Sequence, residues 1–240
     1  DAIWECDEDT PRYTVYRPSG AVAFTNVPIP DNFVHDPQAD AGAVIIDHYE
    51  EWMYTTAGLE KQEGKWVATI AAARWPLYGS GVTDNYKWIA GGASTPSYCS
   101  LIRPEEIEAG VIARAICCCL RFPKAGTKVY PPASSTDGKS YDQWAIPEGA
   151  RLQLDPDFDI DSLNVNRAAK IILKCFQEYG VVVKECGGRS CIYAENPLAR
   201  ATDPWPELGV DGNILKGPEL RNLPWRVIDY SVFGAVEEEF

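Results

Sequence analysis

The stretch from Leu101 to Phe122 constrains the fold most, because it holds a helix start, a helix stop and a strand in succession. Pro104 suits a first helical position, and Glu105 and Glu106 follow where carboxylates stabilise a helix N-terminus. Gly110 predicts the end of this helix, since glycine is favoured just beyond a helix C-terminus. The chain should therefore change from a short helix to a strand near residue 110.

The predicted strand after Gly110 has no freely polar face. Its alternating faces hold Ile112, Arg114, Ile116, Cys118, Leu120 and Phe122 on one side, and Ala113, Ala115, Cys117, Cys119 and Arg121 on the other. Such a pattern indicates a central strand that is covered on both sides. Because neighbouring residues of a strand point to opposite faces, the three consecutive cysteines cannot all serve one disulfide partner or one metal.

Turn-forming residues are spread along the chain. Eighteen prolines and nineteen glycines in 240 residues favour many short strands over a helical bundle. We see no internal repeat and no low-complexity linker. We therefore predict one domain over residues 1–240, a mainly β antiparallel β-sandwich with one or two short helices. The clearer helix has an apolar stripe from Ala169 to Tyr179, a cap at Asn164 or Asn166, and a stop at Gly180.

The charge and the start of the chain bear on partners and location. A net charge of −13 argues against nucleic acid and against anionic membrane, since both need a basic face. No stretch approaches the ~20 apolar residues of a membrane span. The sequence begins at Asp1 without methionine, which we interpret as a mature, secreted, extracellular protein.

Eight cysteines are an even count that indicates disulfides and an oxidising compartment. Cys186 and Cys191 bracket the loop of a predicted hairpin, so their Cα atoms could reach the ~4.4–6.8 Å that a disulfide needs. We predict that these two are bonded to each other. The pairing of the others stays open: Cys6, Cys99, Cys117, Cys118, Cys119 and Cys175.

Four aspartates stand at alternate positions, Asp155, Asp157, Asp159 and Asp161. Close carboxylates repel one another unless a cation or hydrogen-bond donors neutralise them, so calcium is the one cofactor that we predict. The segment is not an EF-hand, because Ile160 stands where that loop needs glycine. The alternative is a polar turn that caps the following helix.

Aromatic residues crowd the segment from residue 75 to residue 98. Trp75, Tyr78, Tyr86 and Trp88 are interspersed with glycines and small polar residues. Aromatic faces flanked by polar groups bind sugar rings, so these four are candidate glycan-binding residues. The alternative is that the rings fill the space between two sheets.

Candidate catalytic groups are few. Only two histidines are present, and His48 stands at a strand end before Tyr49. Together with Glu51 and Arg114, these residues could be assembled into an acid–base site for a lyase or glycoside hydrolase. The alternative is that all four are ordinary surface charges and strand-end residues.

The same central stretch resembles a motif in a family of secreted, mostly uncharacterised microbial proteins. Those proteins carry Gly-Leu-x-x-x-Glu-Glu-x-x-x-Gly-x-Ile-x-His-Ala-Leu, which LIRPEEIEAGVIARAI resembles here. The departure that matters is that Arg114 replaces the histidine. EEWMYTTAGLEKQEGKWVATIAAARWPL upstream, IPEGARLQLDPDFDIDSL downstream and the segment 168–193 extend the resemblance to roughly residues 43–230. The resemblance implies a jelly-roll-like β-sandwich, and it implies fold better than function.

Two functions follow as expectations. The first is a non-catalytic extracellular protein that binds glycans, self-associates into a filament or surface layer through its chain ends, or does both. The second is a polysaccharide-active enzyme on the same scaffold. Arg114 and the shortage of histidine favour the first, since arginine stays charged and cannot act as an ordinary general base.

Overall fold

The computed structural model describes residues 1–38, 40–82, 91–126, 128–210 and 223–228. Within these ranges the protein is mainly β, with two six-stranded sheets and two α-helices. The prediction of a mainly β fold is confirmed. The prediction that its sheets are purely antiparallel is wrong, because both sheets contain parallel pairs.

The N-terminal sheet has the strand order β1-β4-β5-β6-β2-β3. Its strands are β1 (Ala2–Cys6), β2 (Arg12–Tyr16), β3 (Val22–Pro28), β4 (Gly42–Asp47), β5 (Trp52–Gln62) and β6 (Lys65–Pro76). Alternation over Glu51–Thr56 and turn residues at Lys61–Gly64 predict a hairpin. The long β5–β6 hairpin, which turns at Glu63 and Gly64, confirms it. β1 pairs in parallel with β4 inside this sheet.

The C-terminal sheet has the order β12-β9-β10-β8-β11-β7. Its strands are β7 (Leu101–Ile102), β8 (Ile116–Leu120), β9 (Arg151–Leu154), β10 (Val181–Cys186), β11 (Cys191–Ala194) and β12 (Trp225–Ile228). The parallel β8–β10 pair needs a long crossover, and the connection between them contains a helix.

Both helices begin and end where the sequence predicts. α1 (Pro104–Ala109) ends at Gly110, whose φ of 81° only glycine adopts readily. α2 (Arg167–Glu178) begins at Asn166, whose side chain accepts a hydrogen bond from the backbone N–H of Ala169. The strand that follows α1 starts at Ile116 rather than near Val111, so Arg114 lies just before it.

Apolar side chains cover both faces of the N-terminal sheet. Ile45 belongs to a core with Trp4, Phe24 and Tyr54 on one face. The neighbouring Val44 points to the opposite face, where the cluster includes Leu101 of the C-terminal sheet. This second cluster joins the two sheets.

The far face of the C-terminal sheet packs on α2. Ile172 and Phe176 of the helix pack with Ile116, Cys118 and Val183 of the sheet. The central strand β8 is therefore covered as predicted. Its three cysteines are all buried.

Candidate functional site

A cleft of about 810 Å³ lies between the two sheets. We call it the inter-sheet cleft. Thr55 and Ala71 line it from the N-terminal sheet, whereas Lys184 and Tyr193 line it from the C-terminal sheet. Its volume is in the range of pockets that bind small ligands. The charged groups that line it come from β10, from the segment around residue 137 and from Asp1 and Asp40.

Lys184 is the main positive group of the cleft. Its side chain is buried, and Nζ donates a hydrogen bond to Ser97 Oγ at 3.2 Å. The same ammonium lies 5.7 Å from the centre of the Tyr193 ring. No carboxylate among the described residues lies within ion-pair distance of it. A buried ammonium with one hydroxyl acceptor retains two donor hydrogens for a ligand.

Asp137 and Glu148 form a carboxyl pair at the edge of the cleft. Asp137 Oδ1 accepts a hydrogen bond from the backbone N–H of Cys186 at 2.9 Å, and Asp137 lines the cleft. Glu148 stands behind it and is fully buried. Burial, with the neighbouring Asp137 carboxylate second, raises the pKa of Glu148 to about 8. Glu148 is therefore mainly protonated at neutral pH.

Two consecutive glycines make room for the acidic side of the cleft. A Cβ atom on Gly92 would lie 2.3 Å from Asp137 Oδ1, and one on Gly91 would lie 3.3 Å from Glu185 Oε2. Burial also raises the pKa of Glu185, which lies beside Lys184 in β10. Larger residues at 91 and 92 would displace both carboxyl groups.

No local sequence pattern points to this group of residues as a whole. The run Val181–Lys184 predicts a buried strand. Its pattern indicates no functional role for the four polar residues Lys184, Glu185, Asp137 and Glu148. One local signal was present, namely a Lys-Glu pair at the end of an otherwise apolar strand. The contribution of Asp137 and Glu148 comes from a loop distant in sequence, which no local pattern shows.

Three of the predicted catalytic residues lie together at the turn between β4 and β5. His48 pairs with Glu5, and the Tyr49 ring lies 5.4 Å from the Arg12 guanidinium. Glu51 is exposed with a positive φ of 58°. These contacts agree with the alternative that the three are ordinary surface charges and strand-end residues. None of the three lines the inter-sheet cleft.

Arg114 is held in a structural ion pair. Its guanidinium contacts Glu106 at 2.9 Å and donates hydrogen bonds to the carbonyl oxygens of Cys99 and Leu101, both at 2.6 Å. Glu106 also accepts from the backbone N–H of Arg103. No contact among the described residues joins Arg114 to His48, so the structure does not assemble the predicted site. Arg114 instead ties α1 to the segment on each side of it.

Two of the four predicted glycan-binding residues, Trp75 and Tyr78, lie within the described part of the chain. Trp75 is fully buried in the cluster that joins the sheets, as the core-filling alternative requires. Tyr78 is 80% exposed, whereas Tyr86 and Trp88 lie outside the residues that the structure describes. Among the described residues, the most exposed aromatic side chains are Tyr141 (92%) and Trp144 (83%), which lie in a stretch that the sequence predicts to be irregular.

Three of the four aspartate side chains have hydrogen-bond donors as partners. Asp155 accepts from the backbone N–H of Asp157, Asp159 accepts from that of Asp161, and Asp161 pairs with Lys170. Within the described ranges, no group of three metal-ligating side chains converges. The turn-forming alternative therefore accounts for the contacts seen, and calcium binding stays a prediction.

The predicted hairpin between Cys186 and Cys191 is wrong, because β8 lies between β10 and β11. Cys191 is opposite Cys119 of β8, and their sulfur atoms are 3.2 Å apart. The Cys186 sulfur contacts the carbonyl oxygen of Arg121 instead. All eight cysteines are free in the structure, so the predicted Cys186–Cys191 disulfide is not formed.

The strand described at each chain end pairs with another strand of the same chain. β1 buries Ile3 and Trp4 and pairs with β4 of the same chain, and β12 pairs with β9. Residues 229–240, the larger part of the predicted C-terminal run, lie outside the described residues. Self-association stays a prediction.

Comparisons with known proteins add no assignment. No family model, no curated protein and no solved structure matches the chain. Among the described residues, no helix is both long and apolar enough to cross a membrane.

Proposed function

We propose that the protein is a secreted glycan-binding protein that holds a neutral saccharide in the inter-sheet cleft. The observation that carries the proposal is the convergence of Lys184, Asp137 and Glu185 on one cleft of ligand size. The proposal takes the two sheets as layers of a β-sandwich, with the cleft opening between them.

The chemistry of the lining favours a hydroxyl-rich ligand. Sugar hydroxyls donate hydrogen bonds to carboxylates and accept them from an ammonium, and the cleft offers both kinds of group. The Tyr193 ring and the hydroxyls of Thr55 and Ser97 add an aromatic face and neutral partners. Acidic residues outnumber Lys184 there, since Asp1, Asp40, Asp137 and Glu185 also line the cleft. A neutral ligand is therefore favoured over an anionic one.

Replacing Lys184 by methionine is expected to weaken saccharide binding at least tenfold. Methionine keeps the length and apolar stem of lysine but donates no hydrogen bond, and a hydrogen bond from a charged group contributes about 1.5–3 kcal/mol. Titration calorimetry with neutral and uronate-containing oligosaccharides measures the change. Lys61→Met is the matched control, because Lys61 is exposed and does not line the cleft.

The wild-type protein should bind at least one neutral oligosaccharide, and Lys61→Met should bind it equally well. If no neutral or acidic saccharide binds, the proposal fails. If binding is unchanged in Lys184→Met, the ligand lies elsewhere, and the exposed Tyr141 and Trp144 become the first residues to replace.

A polysaccharide-active enzyme is the second candidate, and one observation favours it. Glu148 holds a proton at neutral pH next to the Asp137 carboxylate, which is the pairing of acid and base that glycoside cleavage uses. Glu148 Oε2 accepts a hydrogen bond from the backbone N–H of Asp137 at 3.3 Å, however, so the two residues are adjacent, whereas hydrolases place their carboxyl groups roughly 5–9.5 Å apart. A depolymerisation screen on neutral and uronate-containing polysaccharides distinguishes the two functions. If the wild-type protein cleaves a polysaccharide and Asp137→Asn does not, the protein is an enzyme and the non-catalytic proposal is wrong.

A further inference from the structure

Two cysteines face each other across the centre of the C-terminal sheet. Cys119 of β8 and Cys191 of β11 are direct partners in an antiparallel pair, although 72 positions separate them in sequence. Such partners have Cα atoms about 4.5–5.5 Å apart, within the range that a disulfide accepts. Their sulfur atoms are already 3.2 Å apart.

We propose that Cys119 and Cys191 are a redox-active dithiol, which closes to a cross-strand disulfide by exchange with a small external disulfide. The inference rests on this pairing and does not depend on the proposed saccharide site, with which it shares only Tyr193. The strand order explains why Cys186, the nearer cysteine in sequence, is not the partner of Cys191. Strand β8 lies between β10 and β11 and places Cys119 opposite Cys191.

The surroundings of Cys119 favour its thiolate form. The Cys191 thiol donates a hydrogen bond to it, and this bond, together with one from the Tyr193 hydroxyl, lowers the pKa of Cys119 to about 6 against the opposing effect of burial. The same contact raises the pKa of Cys191, so the shared proton resides on Cys191. The carbonyl oxygen of Arg189 lies 2.8 Å from Cys119 Sγ and accepts a hydrogen bond when Cys119 is protonated.

Access decides the order of the steps. Cys119 is buried, whereas Cys191 is partly exposed and follows the exposed residues Arg189 and Ser190. An external disulfide RSSR therefore meets Cys191 first. Cys191 sulfur attacks one sulfur of RSSR while its proton passes to Cys119, so a mixed disulfide forms on Cys191 and RS⁻ leaves.

The second step closes the bridge. The released RS⁻ takes the proton from Cys119 and becomes RSH. The Cys119 thiolate then attacks the Cys191 sulfur of the mixed disulfide and displaces the second RS⁻. The two protein sulfurs are oxidised by two electrons in total, and RSSR is reduced to two thiol equivalents.

Oxidised glutathione followed by peptide mapping tests the proposal on the full chain. The reduced protein is incubated with glutathione disulfide, alkylated with iodoacetamide and digested with trypsin without reduction. Cleavage after Lys184, Arg189 and Arg200 places Cys186 and Cys191 on different peptides. The expected product joins the peptide 115–121 to the peptide 190–200, with Cys117 and Cys118 alkylated.

Two variants separate the steps. In Cys119→Ser the second thiol is missing, so a glutathione adduct should accumulate on Cys191. Cys186→Ser should form the same cross-link as the wild type. A bridge between Cys186 and Cys191, or alkylation of both Cys119 and Cys191 after exposure to excess glutathione disulfide, would overturn the proposal. If a variant does not fold, the peptide map of the wild-type protein is sufficient to distinguish these outcomes.

Discussion

Replacing Trp75 by alanine is expected to lower the free energy of unfolding by about 3–5 kcal/mol. Trp75 is fully buried on β6, opposite Met53 of β5. It packs in the cluster that contains Val44 and Leu101 and so joins the two sheets. Removal of the indole would leave a cavity between the sheets, which surrounding side chains fill only in part.

Urea unfolding followed by circular dichroism measures this change. Tyr78→Ala is the matched control, since Tyr78 is an aromatic residue two positions beyond the end of β6 and is 80% exposed. The free energy of unfolding of Tyr78→Ala should stay within about 0.5 kcal/mol of that of the wild type. A Trp75→Ala protein as stable as the wild type would show that this tryptophan is not a core residue and would restore it as a surface candidate for glycan binding.

Replacing Glu148 by glutamine is expected to stabilise the protein at pH 9 and to change little at pH 5. The folded-state pKa of Glu148, about 8, lies above the value of 4.5 for a free glutamate. Between these pH values the native protein holds a proton that the unfolded chain releases. The stability that the protonated Glu148 contributes to the folded protein is therefore fully present at low pH, and it is lost as the pH rises through about 8.

The size of the effect follows from the shift. The difference between a pKa of 4.5 and one of about 8 corresponds to about 5 kcal/mol as an upper estimate, since one pKa unit is equivalent to about 1.4 kcal/mol. Glutamine has the shape of the protonated acid and cannot ionise, so the variant should lose this part of the pH dependence. Glu185, whose pKa burial also raises, adds a dependence of the same sign that both proteins share.

Urea unfolding of both proteins at pH 5, 7 and 9 gives the comparison. The quantity to follow is the difference in unfolding free energy between Glu148→Gln and the wild type. Glu8→Gln, at an exposed position near the chain start, controls for the loss of one acidic residue. A difference that does not grow in favour of Glu148→Gln with rising pH would mean that Glu148 is ionised in the native protein.

Local patterns determined the elements of this fold. The cap at Asn166 and the left-handed glycine at Gly110 act through neighbouring backbone groups, so the sequence alone located both helices. Alternation and turn residues located the β5–β6 hairpin for the same reason. The covered character of β8 was also visible, because burial on both faces removes the polar residues that a half-exposed strand keeps.

Strand order was decided only by the tertiary structure. Cys186 and Cys191 are five positions apart, yet the insertion of β8 separates their strands and gives Cys191 a partner 72 positions away. The same is true of the inter-sheet cleft, which Asp137 and Lys184 both line although 47 positions separate them in sequence. Nothing in a local pattern encodes such pairings, because they depend on how apolar faces from distant segments pack together. The sequence by itself determined which segments form strands and helices, and packing decided which side chains share a site.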